Sequence, residues 1–349
     1  MKKLLSTLLV GLMFISLVAC SPKKNEQAKV TTEENKTTEE TKTTTSTATY
    51  KAGLGNVTML SATNPTEDKE GKVEANTYFA GLVLQDGKIV EVKFDVAQNK
   101  VAYTAEGELK EATPSKTKVE KGTEYGMAKA SAIGKEWFEQ VAAFEAYAKG
   151  KTVDEVLNTP VKEVNDHKDV ADVADLNSSV TISLTGFFKA LKAASENLVD
   201  VASYDKFSLT SDTSISTKQD TEDKAANMTF NTYMALVLTK DGKIVLTQTD
   251  VAQNKAEVSS EGTATLTEKA SKKLLKEEYG MKTASPIGKE WYEQNAAFEA
   301  YTVGKTVAEV VAMPVKEVNN HTDVPDVADL NSSVTISLTG HLNALRKAQ

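Results

Sequence analysis

The residues with the most chemistry to offer sit in a short run of carboxylate, amide and hydroxyl groups, Asp175-Leu-Asn-Ser178-Ser179-Val-Thr181. It recurs as Asp329-Leu-Asn-Ser332-Ser333-Val-Thr335. Side chains of these types cap turns and helices by bonding to nearby backbone. A turn feeding a helix is therefore one reading, and Val180, Ile182 and Leu184 equally extend a short strand up to Gly186. The sharper reading is an anion site. A phosphate set just ahead of an amphipathic helix meets unpaired backbone N–H groups and the positive end of the helix dipole. The hydroxyls of Ser178, Ser179 and Ser183 would add donors. No paired carboxylates, Ser-His-Asp set or metal-ligand cluster stands out elsewhere. Gly53-Leu-Gly55 lacks the third glycine and the following helix of a dinucleotide fingerprint. His167 and His321 occupy matching positions and are assigned no role; His341 has no histidine counterpart.

Composition narrows the classes. The 349 residues exceed the roughly 150 of one domain, so two folded units plus extras are expected. Apolar residues make up 40% and charged residues 26%, the balance of a globular chain. Lys plus Arg number 41 against 49 Asp plus Glu, a net of -8, which argues against a sequence-independent nucleic-acid binder. The chain has 1 cysteine. That excludes an internal disulfide, a four-thiolate iron–sulfur cluster and a haem attached through Cys-x-x-Cys-His.

That cysteine, Cys20, closes residues 1–20, in which Lys2 and Lys3 precede an apolar run. The run is short for a bilayer span and has the layout of a secretory signal peptide. Its end, Leu17-Val-Ala-Cys20, resembles a bacterial lipobox, which implies lipid attachment at the Cys20 sulfur and an anchor of lipid, not of transmembrane helix. Residues 21–49 are rich in Thr, Glu and Lys, and Val30 is the one large aliphatic. Such a stretch cannot bury enough surface to fold and reads as a disordered stalk, reaching at most roughly 100 Å.

The remainder is written twice. Residues 172–186 recur unchanged as 326–340, an offset of 154. Ile133-Gly-Lys-Glu-Trp137, Tyr125-Gly-Met127 and Ala143-Phe-Glu-Ala-Tyr147 recur at the same offset, and residues 95–100 recur at 155. The stretch 101–124 has drifted almost beyond recognition from 256–278. A period this long is a whole domain, so the expectation is one domain over 50–198 and a second over 199–349.

These motifs need elements to hold them. Lys88 to Val96 alternates, with Val90, Val92, Phe94 and Val96 on one face of a strand. Thr77 to Gln85 is a second strand, joined to the first by the hairpin signal Asp86-Gly87, which Asp241-Gly242 repeats. Lys135 to Ala148 reads as a helix with Trp137, Val141, Phe144 and Ala148 in one apolar stripe. Thr152 with Glu155 forms a capping box for the next helix. Leu184, Phe188 and Leu191, matched by Leu338, Leu342 and Leu345, mark a closing helix. Each copy is thus expected to be α+β, a mainly antiparallel sheet with packed helices.

The run Asp-x-x-Ser-Ser-Val-Thr resembles the flavinylation motif of the FMN-binding domain family, in which a flavin transferase joins FMN through its phosphate to the Thr hydroxyl. The strings Tyr-Gly-Met, Ser-x-Ile-Gly-Lys-Glu-Trp and Gly-Lys-Thr-Val resemble the form found in Gram-positive surface lipoproteins of flavin-based extracellular electron transfer, as in Listeria and its relatives. The resemblance covers residues 50–349 together with the lipobox and stalk. It implies two covalent FMN groups, on Thr181 and Thr335, with Asp175, Ser178 and Ser179, and Asp329, Ser332 and Ser333, as motif residues. Ser179-Val180 and Ser333-Val334 depart from the family's usual Gly-Ala. Tyr125, Met127, Tyr279 and Met281 are candidate ring contacts or core, whereas Trp137 and Trp291 are expected in the core.

The resemblance further implies a lipid-anchored carrier rather than an enzyme with its own substrate, with ferric reductase activity left open, on the outer face of a Gram-positive cell membrane. It would draw on a quinol-linked membrane donor and deliver to extracellular acceptors such as ferric iron. An exterior is an endless sink for a cofactor held by affinity alone, so a covalent bond suits that setting. The alternative is a non-redox surface lipoprotein whose repeats bind a small ligand or a protein partner.

Overall fold

The computed structural model describes residues 49–110, 112, 114–165, 167–220, 225–319 and 321–349. The expected signal peptide, Cys20 and the stalk through residue 48 lie outside the described residues. Each half opens with three long antiparallel strands. In the first they are β1 (Tyr50–Thr63), β2 (Gly71–Gln85) and β3 (Lys88–Tyr103). There follow α1 (Lys118–Lys121), α2 (Trp137–Ala148), α3 (Val153–Leu157), the hairpin β4 (Val161–Val164) and β5 (His167–Ala171), α4 (Thr185–Ser195) and β6 (Val199–Val201). The second half runs β7 (Lys206–Gln219), β8 (Ala226–Lys240), β9 (Lys243–Val258), β10 (Ala264–Thr267), α5 (Lys272–Leu275), α6 (Trp291–Thr302), α7 (Val307–Val311), β11 (Val315–Val318), β12 (His321–Pro325) and α8 (Thr339–Arg346). The two four-stranded sheets have the orders β3-β2-β1-β6 and β10-β9-β8-β7, and all the pairings are antiparallel. The class is α+β, as expected.

Local chemistry sets the hairpins. Asp86 and Gly87 both take positive φ, 51° and 76°, and Asp241 and Gly242 take 51° and 77°. A two-residue turn of that handedness matches the twist of the strands it joins, and glycine takes such a φ without strain. The second halves of β2 and β8 are apolar on both faces because both faces are covered. Ala80, Leu82 and Leu84 of β2 point at the helices, with Phe94, Phe144, Phe187 and Leu191 around them. Phe79 and Val83 point the other way, into a layer shared with Met234, Leu236 and Leu238 of β8. The two sheets thus pack face to face, β1 over β9, β2 over β8 and β3 over β7, with helices on the two outer faces.

One strand residue departs from the sequence expectation. Val90 does not share a face with Val92, Phe94 and Val96. A bulge between Val83 and Leu84 in the pairing with β3 leaves Val90 without a direct partner. Ile89 therefore joins Val92 on the helix side, while Val90 packs into the inter-sheet layer. The apolar stripe of α2 is as read: Trp137, Val141, Phe144 and Ala148 are all buried. Thr152 accepts from Glu155 N–H, and the Glu155 carboxylate accepts from Thr152 N–H.

The layer between the sheets is partly polar. Asn56 of β1 donates to Asp250 of β9 at 2.9 Å, and Leu54 N–H donates to Gln248 Oε1 at 2.6 Å. Thr232 and Thr77 hydroxyls meet at 3.2 Å. The helix α4 lies so close to β1 that Gly53 and Gly55 are required: a Cβ at Gly55 would stand 2.0 Å from Ala194 N. Strand residues this close to backbone have no flexible neighbour to yield.

Gly55→Ala is expected to lower the stability of the chain by about 1–3 kcal/mol or more in denaturant unfolding. Thr210→Ala, at the matching register of β7, removes one hydrogen bond to Ala344 O and should cost only about 1 kcal/mol. Equal stabilities for Gly55→Ala and the parent chain would contradict this packing.

Candidate functional site

Each half carries a cleft on its helical face, at matching places. The first, of about 440 Å³, is bounded by Tyr78 of β2, the α1–α2 segment, the β4–β5 hairpin and the run from Thr181 to Phe187. The second, of about 810 Å³, is bounded by Tyr233, the α5–α6 segment, the β11–β12 hairpin and Thr335 to His341. Every residue lining the first has its sequence counterpart lining the second. Both volumes lie within the range of small-molecule sites, roughly 300–1,000 Å³.

The predicted attachment residues are in the clefts. Thr181 and Thr335 are half-buried at matching places. A buried glutamine holds each one: Thr181 donates to Gln140 Oε1 from its N–H at 2.8 Å and its hydroxyl at 3.2 Å, and Thr335 does so to Gln294 with the same distances. Each glutamine amide is held in turn. Gln140 Nε2 donates to Ser131 Oγ and Lys135 O, and Gln294 Nε2 to Ser285 Oγ and Lys289 O.

The other motif residues lie elsewhere. Asp175, Ser178, Asp329 and Ser332 are exposed and do not line the clefts. Ser179 and Ser333 donate to Leu176 O and Leu330 O, closing the turn that precedes each threonine. Leu176 and Val180 anchor that turn in the core. The run is therefore a turn leading toward a helix, with a single strand-like bridge from Ser183 to Val170. Gly186 ends the unchanged block for a packing reason: its Cβ would stand 2.3 Å from the Tyr78 ring, and Gly340 meets Tyr233 in the same way.

Tyr125 and Met127 line the first cleft and Tyr279 and Met281 the second, all four only partly buried. Their loop is pinned by an acidic helix cap, since Glu136 accepts from Met127 N–H and Glu290 from Met281 N–H, each at 2.8 Å. Trp137 and Trp291 are both core and cleft wall. His167 and His321, left without a role by the sequence, sit at the rim on the β-hairpins.

Each cleft also holds a lysine that no motif in the sequence marks, buried in the first and half-buried in the second. Lys118 and Lys272 lie in the stretch that had drifted most, yet they occupy the same place. Lys118 Nζ is 5.1 Å from the Tyr125 ring centre and 5.3 Å from that of Trp137. Lys272 Nζ is 4.8 Å from Tyr279 and 5.7 Å from Trp291. Burial lowers the ammonium pKa of both to about 8. The only signal available was positional: counting back from Tyr-Gly-Met, both lysines fall at the same distance. Each cleft thus offers aromatic walls, a soft thioether, a lysine against those walls and half-buried hydroxyls that include the threonine. That set suits a planar, polarizable ring carrying negative charge. Among the described residues no group of three His, Cys, Asp or Glu could hold a metal ion, and no helix is long and apolar enough to cross a membrane.

The lysines make a pH prediction. An amine whose folded pKa lies below its unfolded value leaves the unfolded chain holding more protons between the two, so stability rises with pH there. Unfolding midpoints should increase from about pH 8 to 9.5, short of tyrosine ionisation. Lys118→Met and Lys272→Met should each flatten that rise. An unchanged slope in the double variant would refute the burial of these charges.

No family profile matches the chain, and no solved structure matches it. A chlorophenol reductase of Desulfitobacterium hafniense is 37% identical to it over 99 residues, covering 23% of this chain and 28% of that protein. The chain thus spans little more than a quarter of that relative's length.

Proposed function

We propose that the protein is a lipid-anchored extracellular electron carrier built from tandem FMN-binding domains, with FMN joined through its phosphate to Thr181 and to Thr335. The observation that carries this is the duplication of the clefts. A hydroxyl, an aromatic wall and a lysine lying against it recur together in both halves, although the intervening sequence has diverged.

The flavin, when bound, would supply one- and two-electron redox chemistry in a chain without thiols beyond Cys20. The remaining roles belong to the chain's own residues. Gln140 and Gln294 hold the threonines by their backbone N–H, a bond that survives esterification of the hydroxyl. Tyr125 and Trp137, and Tyr279 and Trp291, would flank a ring. Lys118 and Lys272 would place positive charge beside it, which favours the more negative of its states. The helices α4 and α8 begin just beyond the attachment residues, and their N-terminal dipoles favour a phosphate there.

In this reading a dedicated flavin transferase loads both sites, Cys20 anchors the chain on the outer face of a Gram-positive membrane, and residues 21–49 are the stalk. Electrons would enter from a quinol-linked membrane donor and leave to acceptors such as ferric iron.

The test is co-expression of the mature chain with a flavin transferase, followed by denaturation and intact-mass measurement. Two FMN mass increments and in-gel flavin fluorescence are expected. Thr181→Val and Thr335→Val should each remove one increment, and together both. An unmodified, colourless protein from the native host would favour a non-redox surface lipoprotein. Full loading of the double variant would show that the attachment residues are wrong.

A further inference from the structure

The two clefts differ at one wall residue in a way that changes their chemistry. Phe187 of the first is His341 in the second. His341 is 2% exposed, and neither ring nitrogen has a hydrogen-bond partner among the described residues. It stacks on Trp291 at 5.8 Å and 29°, and meets the edges of Tyr233 at 5.6 Å and Phe298 at 5.9 Å. None of these rings offers it a bond.

Polarity is not in itself foreign to this half. Thr249, Asn295 and Thr302 replace Phe94, Val141 and Ala148, but each is bonded. Thr249 Oγ1 donates to Asn295 Oδ1 at 2.8 Å, Asn295 donates to Thr249 O and Glu299, and Thr302 donates to Glu299 O while its hydroxyl meets that of Thr247 at 2.9 Å. His341 alone in this group is left without a partner, and it alone lines the cleft. Burial and the nearby Lys272 charge lower its pKa to about 3, so the ring is neutral. A neutral imidazole carries one donor and one acceptor, and a buried group of this kind without partners is costly.

We propose that His341 is a specificity-determining residue of the second cleft, which takes a planar heteroaromatic ring whose edge presents a hydrogen-bond donor or acceptor to the imidazole. The first cleft, with Phe187, has no such contact. The two sites are therefore unequal, and the second is the more selective for ring-edge chemistry. This rests on the flavin reading in its choice of probe, since a flavin ring carries both kinds of group on one edge.

The experiment uses the full mature chain, with 15N-labelled histidine, with and without FMN loading by a transferase. The chain has 3 histidines, so the ring signals resolve. Loading is scored separately by intact mass. In Thr181→Val, loaded only on Thr335, the His341 ring nitrogens are expected to shift from free to hydrogen-bonded positions. In Thr335→Val, loaded only on Thr181, they should stay put. With unloaded chain and riboflavin as the probe, His341→Phe should weaken binding at the second cleft about tenfold while the ligand-free chain unfolds no earlier than the parent. A histidine serving only the packing would lose stability and leave affinity unmoved. Loading at Thr335 with unshifted His341 signals overturns the role of His341 and leaves the flavin reading intact. Absence of loading at Thr335 together with no riboflavin binding overturns both.

Discussion

The constraint on which everything else depends is double coverage of the central strands. Each sheet is covered on one face by helices and on the other by the second sheet, so β2 is buried without a break from Phe79 to Leu84 and β8 from Met234 to Thr239. Burial at about 25 cal/mol per Å² of apolar surface acts on both faces at once. Neither sheet can slide without uncovering the other. Small residues follow from this: Gly81 sits where a Cβ would stand 2.9 Å from Phe207 of the opposite sheet, and Gly53 and Gly55 admit the backbone of α4.

With the strands fixed, the clefts can only form on the outer, helical faces. Their walls are consequences of that layer. Tyr78 and Tyr233 rise from the central strands, and Gly186 and Gly340 at the helix starts leave room for their rings. The threonines are carried by turns that Leu176 and Leu330 nail into the core. Gln140 and Gln294, buried on α2 and α6, translate helix position into threonine position through a pair of hydrogen bonds. A buried side chain with all its polar groups satisfied is a rigid support. The halves have kept this support and changed their interiors. The first packs Phe94, Phe144 and Phe187 together, while the second threads bonded polar groups through the same space and leaves His341 to the cleft.

How much of this was legible depended on whether a signal was local. The Asp-Gly turns were, because only positive φ closes a two-residue hairpin of the right hand. The α2 stripe and the Thr152 capping box were legible because helix period and cap spacing are properties of neighbouring residues. Val90 was misplaced, since a bulge needs a partner strand to exist. The first strands β1 and β7 carry little local signal: half of β7 is Ser or Thr, and β1 is broken by glycines whose reason is a helix far along the chain. Lys118 and Lys272 were hidden by drift around them, and Gln140 and Gln294 looked like ordinary helix polar residues. Asp175 and Ser178 drew notice for their type, yet their exposure keeps them out of the cleft.

Three features were carried by local order: the block 172–186 repeated as 326–340, the sheet-and-helix patterning, and a threonine at the end of the same run in both blocks. Those are matters of periodicity, turn stereochemistry and repetition, which local order carries. Three features belong to the packed chain alone: the sheets face one another, a lysine lies against each aromatic wall, and one buried histidine has no hydrogen-bond partner among the described residues. These depend on which distant surfaces exclude water together, and desolvation is a property of the packed chain, not of any segment of it.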